Sequence, residues 1–470
     1  MSDIGKEHVF TGRLVMLGFG CIGQGALPLL LRHIEMQPAQ VLVIAPNDTA
    51  LQAARAQGAQ TLAARLTPSN HRELLGPRLA RGDFLLNLSV DVSSTALIEL
   101  CRERGALYLD TCIEPWAGGY IDTGLPPASR TNHALREAAL ALRGRGGPTA
   151  VLTHGANPGL VSHFVKQALL DVARDTGVAA GAPRGREDWA RLAMRLGVRS
   201  IHIAERDTQL GAARKQPGEF VNTWSVEAFV DEGCQPAELG WGSHERHLPH
   251  DGARHETGSH ASIYLQRPGA STRVRSWTPL AGPIHGFLIT HAESISIADH
   301  LTLGDPRRPV YRPTVHYAYH PCDDAVLSLH ELAALDWRIQ PRQRVMKDEI
   351  VSGIDELGVL LLGHARGAYW YGSQLSIEQA RAACPSNSAT SLQVTAAVMA
   401  GVVWAMKHPA CDVVEPDDLP FDEMLRLTRP YLGDLVGAYS DWTPLRGRSW
   451  LFEEDLDAAD PWQFKNVRVV

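Results

Sequence analysis

Gly18-Phe19-Gly20-Cys21-Ile22-Gly23 is the stretch whose spacing carries a chemistry of its own. Gly18 permits a tight turn, Gly20 lets the backbone approach a pyrophosphate, and Gly23 lets a helix lie close to a strand. Amide groups at the start of that helix hold phosphate charge. Such a motif is weak alone, but here the apolar run Leu14–Leu17 precedes it and helix-forming sequence follows. Small or polar residues close three later apolar runs, at Ser89-Val90-Asp91, Asp110-Thr111-Cys112 and His154-Gly155-Ala156-Asn157-Pro158. In a parallel sheet those positions face the ligand crevice. Singly, each also fits a helix cap, with Asp91 or Ser93 before Thr95 and Asn157 before Gly159.

A dinucleotide is therefore expected to touch Gly18, Gly20, Cys21, Ile22, Gly23, Thr67, Ser89 and Val90, then Asp110, Thr111, Cys112, Gly155, Ala156, Asn157 and Pro158. One position departs from the pattern. Ala45 stands where an acidic residue should end the second strand and bind the adenosine ribose. Either Asp48 reaches the ribose from the following loop, or the usual contact is missing. The sequence around it has no Arg or Lys for a 2′-phosphate, which favours NAD over NADP.

The elements that must position these residues follow from periodicity. Short apolar runs at Leu14–Leu17, Val41–Ala45, Phe84–Val90, Ala106–Leu109 and Ala150–Leu152 alternate with helix-like stretches at Ala26–Ile34, Ala50–Arg65, Ser93–Arg104 and Ala134–Leu142. Buried strands separated by helices predict an α/β fold, a Rossmann-like doubly wound parallel sheet. Gly177–Arg186 is a Gly/Pro/Arg-rich joint. Beyond it, Val198–Ala204 and Glu293–Ala298 alternate residue by residue, predicting strands of an antiparallel or mixed sheet in a second, α+β domain. Further strands are expected over Ile350–Leu362 and Ala368–Tyr371. A long helix rich in small apolar residues begins near Ser391 and is expected to return to the first domain. The predicted domains are 1–155, completed by about 385–425; a substrate and dimerisation domain, 156–384; and a C-terminal extension, 426–470.

Composition narrows the class. The 470 residues, 44% hydrophobic and 21% charged, suit two or three globular domains. A net charge of −7 with no basic cluster speaks against nucleic acid and mildly suits cationic ligands. Seven scattered cysteines and a polar N-terminus read as reduced thiols in a cytoplasmic protein. The longest apolar stretch, Ala396–Met406, is too short to span a membrane.

Longer motifs point to one family. DTCIEPWAGGY (Asp110–Tyr120), THGANPGLVSHFVKQAL (Thr153–Leu169), FVNTWSVEAFVDEG (Phe220–Gly233) and QPAELGWGSHE (Gln235–Glu245) resemble the bacterial type of homospermidine synthase. So do ITHAESISIAD (Ile289–Asp299), YRPTVHYAYHPCDDA (Tyr311–Ala325), VSGIDELGVLL (Val351–Leu361) and YWYGSQLSIEQAR (Tyr369–Arg381). The resemblance covers nearly the whole chain. It implies a fold of the saccharopine dehydrogenase type and an aminobutyl transfer with NAD as a recycled carrier. One putrescine gives up a hydride and becomes an imine, and a second putrescine attacks. Ammonia then leaves, and returned hydride yields sym-homospermidine. Spermidine or diaminopropane could stand in for putrescine. The segment Cys384–Ser391 differs somewhat from the family's Asn-Ala-Thr-Gly pattern, which leaves room for another diamine.

By this resemblance Glu205 and Trp224 sit at the reacting amine, Asn157 orients substrate or nicotinamide, and Asp91 and Glu114 hold amine ends. The chemistry is coherent. A diamine is a double cation that carboxylates such as Asp91, Glu114, Glu205 and Glu232 can hold, and a neutral His291 could relay the proton one amine must lose. Trp224 can place its ring against an alkylammonium. Taken singly, Trp224 reads as core, His291 as a structural histidine, Glu205 as a surface charge and Glu232 as a loop residue. Only the resemblance raises them.

Two other functions are weighed. A saccharopine- or carboxyspermidine-type dehydrogenase with net redox would need an Arg or Lys for a carboxylate. A catalytically silent NAD-binding protein is weakened by the presence of Glu205, Trp224 and His291. The histidine run His244, His247, His250, His255 and His260 lacks companion ligands and is expected to be a solvated loop without metal. Cys112 fits a nucleophile or simply a small wall residue. A homodimer is the expected assembly.

Overall fold

The computed structural model describes residues 5–469; residues 1–4 and 470 of the expected domains lie outside it. The elements that build the site run in chain order as follows. The first part holds β1 (Leu14–Leu17), α1 (Cys21–His33), β2 (Val41–Ala45), α2 (Asp48–Ala56), β3 (Gln60–Ala63), β4 (Phe84–Asn87), α3 (Ser94–Arg104), β5 (Leu107–Asp110) and β6 (Ala150–Val151). Then come α4 (Leu160–Thr176), β7 (Ser200–Asp207), α5 (Val226–Cys234), β8 (Pro236–Gly240), α6 (Glu293–His300), β9 (Thr314–His320), β10 (Ile354–His364) and β11 (Gly367–Ser376). The last are α7 (Ala389–Lys407), β12 (Val413–Val414), β13 (Asp434–Ser440) and β14 (Arg468–Val469).

The first sheet has the order β12-β6-β5-β4-β1-β2-β3, and its pairings are parallel. Its central strands are buried on both faces, which is why they read as unbroken apolar runs. Two core layers flank it. Helix α7 belongs to one of them, packed on α1, and β12 pairs with β6, so the chain returns to the first sheet after building the second. The expected helix over Ala50–Arg65 is instead two elements. Helix α2 stops at Ala56, Gly58 turns the chain at φ 83°, and β3 follows as an edge strand.

The second sheet has eleven strands, with β8-β9-β7-β10-β11-β13 as its main path; β7 and β9 are parallel and the other pairs antiparallel. Two expectations change here. Residues 426–470 are not an appended extension, because β13 pairs with β11 and β14 pairs with Arg273–Val274 inside this sheet. Glu293–Ala298 is not a strand but the start of α6. All six of those residues are buried, so nothing imposes a polar stripe and the Ser/Ile alternation has no period to follow. Gly240 lets this helix lie on β8: a Cβ there would stand 2.4 Å from the Ser294 carbonyl oxygen. That close approach fixes His291, just before α6.

Candidate active site

A cavity of about 520 Å³ opens along the carboxyl ends of β1, β2, β4, β5 and β6 and is closed by β7, β9 and the segment before α5. At its nucleotide end the glycine loop is shaped by sterics. Gly18 has φ 79°, and a Cβ there would come within 2.6 Å of the Leu88 carbonyl oxygen. Gly20 lines the cavity, and a Cβ on it would meet no protein atom within 4 Å; it would project into space that a phosphate needs. No side chain caps α1, so its first amides remain available for an anion. Cys21, Ile22, Gly23, Thr67, Ser89, Val90, Thr111, Cys112, Gly155, Ala156, Asn157 and Pro158 all line the same cavity. These residues fit a dinucleotide.

Two of the expected residues do not line the cavity. Asp48 opens α2 and does not line the cavity; Asn47 does, but its Oδ1 is taken up in accepting the Thr49 and Ala50 amides. Asp110 is buried behind the wall, where it accepts from the Thr153 amide at 2.6 Å and the Tyr108 hydroxyl at 2.8 Å, tying β5 to β6. Nor is this end without a cation: Arg65, just after β3, lines it beside Pro46 and Asn47. Sequence distance from Ala45 hid it, because β3 runs alongside β2.

At the other end, carboxylates converge. Glu205 on β7 accepts from Asn157 Nδ2 at 2.9 Å and from the Tyr317 hydroxyl at 2.5 Å. Burial pushes its pKa up to about 7 against the pull of the Tyr317 bond, with Asp207 adding to the rise. Trp224 lines the cavity, and its Nε1 donates to the Tyr319 hydroxyl at 3.2 Å, fixing the ring. Tyr317 and Tyr319 stack at 5.1 Å and were not anticipated. Alternation in TVHYAYH would have found them only with the β7–β9 pairing known, since Tyr319 lies opposite Glu205.

His291 sits between two carboxylates, a setting that works against the expected neutral relay. Burial alone would discharge it, but Glu232 at 2.9 Å and Glu293 at 3.3 Å hold its pKa well above the ordinary range. Its Nε2 contact orients Glu232. Asp91, Glu114, Glu227 and Glu232 line the outer part of this end. The Asp91 amide donates to Glu114 at 3.3 Å. Burial, with its acidic neighbours, lifts Glu114 well above the usual carboxylate range and brings Asp231 up to about 7. Asp231 and Glu227 lie on α5 with Glu232 and were not among the expected carboxylates. Among the described lining residues Arg65 is the one Arg or Lys, at the far end.

Burial raises the Cys112 thiol well above its ordinary range, so it serves as wall rather than nucleophile. The histidine run is not a solvated loop throughout. His255 is buried and stacks on His133 at 3.8 Å, and the His244 side chain is enclosed against the Trp462 carbonyl. No metal-holding cluster occurs among the described residues. Within Cys384–Ser391, Asn387 fills the space over Gly25 of α1, and Thr390, in the last turn of that segment, reaches the cavity.

Comparison with known proteins agrees with this architecture. Residues 14–151 match the saccharopine dehydrogenase NADP binding domain and residues 155–440 the saccharopine dehydrogenase C-terminal domain. The chain is 56% identical to a homospermidine synthase of Blastochloris viridis, covering 100% of both chains. It is 50% identical to one of Mesorhizobium japonicum, over 98% of this chain and 96% of that one. A crystal structure of homospermidine synthase from Legionella pneumophila in complex with NAD superposes with a TM-score of 0.92, at 48% identity and 98% coverage of each chain. Saccharopine dehydrogenase (L-Glu forming) from Saccharomyces cerevisiae shares the fold at a TM-score of 0.52 and 11% identity, over 92% of this chain and 100% of that one. The chain belongs to the saccharopine dehydrogenase family and, within it, to the homospermidine synthases.

Proposed function

We propose that this enzyme joins two putrescines, or spermidine and putrescine, into sym-homospermidine, with ammonia or diaminopropane as the leaving amine. The observation that carries the reading is the charge of the substrate end. It offers Asp91, Glu114, Glu205, Glu227 and Glu232 and no Arg or Lys, which suits an uncarboxylated polyamine and disfavours a carboxylated substrate. NAD, when bound against Gly18, Gly20 and Gly23, supplies the reversible oxidation of an amine carbon, so the net reaction has no redox change.

The chain's own groups do the rest. Glu205 takes a proton from the reacting amine, a role suited to a carboxylate whose pKa lies at about 7. Asn157 and Tyr317 hold its Oε2 in place. Trp224, locked by Tyr319, faces the cation that develops at the reacting carbon and excludes water from it. Glu232, oriented by His291, and Glu114 with Asp91 hold the distal ammonium groups.

On this reading residues 1–155 with 385–425 hold the cofactor and the intervening segment holds the amine. The enzyme is cytoplasmic, a location that suits its seven unpaired cysteines. It works as a homodimer through the second domain, where Trp450, Leu451 and Phe452 stand exposed. Light scattering checks the assembly. The deciding experiment supplies putrescine and NAD to purified protein, following amines by mass spectrometry and cofactor by absorbance. Homospermidine and ammonia without accumulating reduced cofactor are expected. Accumulating reduced cofactor would make it a net dehydrogenase, and no turnover of any diamine a silent binder.

A further inference from the structure

Beneath the reacting end lies a third carboxyl that the mechanism above does not use. In the antiparallel pairing of β7 with β10, Asp355 lies opposite Asp207 and Leu357 opposite Glu205. Positions two apart on a strand share a face, so Glu205, Asp207 and Asp355 project to the same side, with Asp355 diagonal to Glu205. All three are buried. Their surroundings differ. Glu205 receives donors from Asn157 and Tyr317. Asp207 receives the Gln209 amide, the Gln209 side chain and the Thr223 hydroxyl. Neither oxygen of Asp355 makes a geometrically sound hydrogen bond; the neighbouring Thr390 hydroxyl favours its charged form, while the Glu205 and Asp207 carboxyls oppose it.

A buried carboxylate with no well-made hydrogen bond, beside two others, is disfavoured as an anion. It becomes tenable when it carries a proton and points it at a neighbouring carboxyl oxygen, as paired carboxyls do. We propose that Asp355 and Glu205 hold one proton between them, making Asp355 the positioning residue that sets when Glu205 is free to accept a proton from substrate. This rests on Glu205 acting as the base. The other groups facing the pair are Tyr317 and Tyr319 from β9 and Asp207 from β7, with His291 and its partners Glu232 and Glu293 beyond Tyr317. Arg206 lies on the opposite face of β7, bonded to His320. Burial and the two acidic neighbours hold Asp355 well above the usual carboxylate range, in keeping with a proton that stays.

The test uses the full chain loaded with NAD. For Asp355→Asn, the acid limb of kcat/KM for putrescine is expected to move down by about one pH unit, a roughly tenfold relative gain on that limb, because an amide now donates to Glu205 without competing for the proton. Loss of rate with the limb unmoved would overturn the proposal in favour of a merely structural residue. A second arm needs neither turnover nor that variant. Infrared difference spectra of the unsubstituted holoenzyme between about pH 5 and pH 9 should show a protonated-carboxyl band lost as pH rises, with its midpoint displaced in Glu205→Gln. An unchanged midpoint, or no band, overturns the shared proton. A displaced midpoint in a protein that turns over no diamine would leave the pair standing and reject the proposed reaction.

Discussion

One end of the cavity presents mainly backbone; the other presents side chains. The nucleotide end centres on one stretch, Leu17 to Gly23, where missing Cβ atoms and free helix amides make the surface, with loops from the neighbouring strands around it. The amine end draws Glu114 from the loop after β5, Glu205 from β7, Glu232 from α5, His291 from the turn before α6 and Tyr317 from β9. A backbone site tolerates change at most of its side chains and fails when a Cβ is added. A side-chain site behaves oppositely, and burial, with the neighbouring charges adding to it, holds its carboxylates above their ordinary pKa values.

Substitutions at the two ends should separate these behaviours. The largest effect is expected from Glu205→Gln, which keeps the hydrogen bonds but cannot accept a proton. Steady-state assay with putrescine should show kcat lower by about 10²–10⁴-fold while NAD binding, followed by tryptophan fluorescence, is unchanged. Next in size is the pH profile. Glu205 must be ionised to act, and its pKa is about 7. Below that value kcat/KM should fall about tenfold per unit, or about a hundredfold over two units. The same raised pKa has a stability counterpart. The buried protonated form is favoured, so its contribution is fully present below the unfolded value of 4.5 and is lost as pH rises through about 7. Thermal melts of the cofactor-free protein should report that slope.

Trp224→Ala removes a cation–π wall worth about 2 kcal/mol, roughly 30-fold in kcat/KM, and Trp224→Phe should recover part of it. At the nucleotide end, Gly20→Ala should leave the melting temperature unchanged, because the new Cβ meets no protein atom. It should weaken NAD by about tenfold in a titration, since the methyl occupies the pyrophosphate's approach. Smallest of all is Asp48→Ala. With Asp48 off the cavity wall, NAD affinity should not change. A clear loss there would restore Asp48 as the ribose contact.

Much of the architecture was legible along the chain because it depends on local order. Strand, glycines and helix follow one another within Leu14–His33, and buried strands must be apolar on both faces. The seam was less legible. Helix α7 announced itself by composition, whereas the pairing of β12 with β6 joins segments far apart in the chain, and no local pattern encodes it. Glu293–Ala298 misled because alternation has meaning only where one side is polar, and α6 has no such side.

The sequence by itself determined the family and the glycine loop and named most of the side chains that gather in the cavity, since long motifs and the backbone geometry of glycine are properties of contiguous chain. Tertiary structure decided the rest: that Asp48 and Asp110 do not line the cavity, that Arg65 and Tyr317 do, that Asp231 and Asp355 lie close behind its carboxylates, and that Glu232 and Glu293 flank His291. The physical reason is the same throughout. Which carboxylate ionises, and which histidine keeps its proton, depends on burial and on neighbours within a few ångströms, and those neighbours come from strands far apart in sequence.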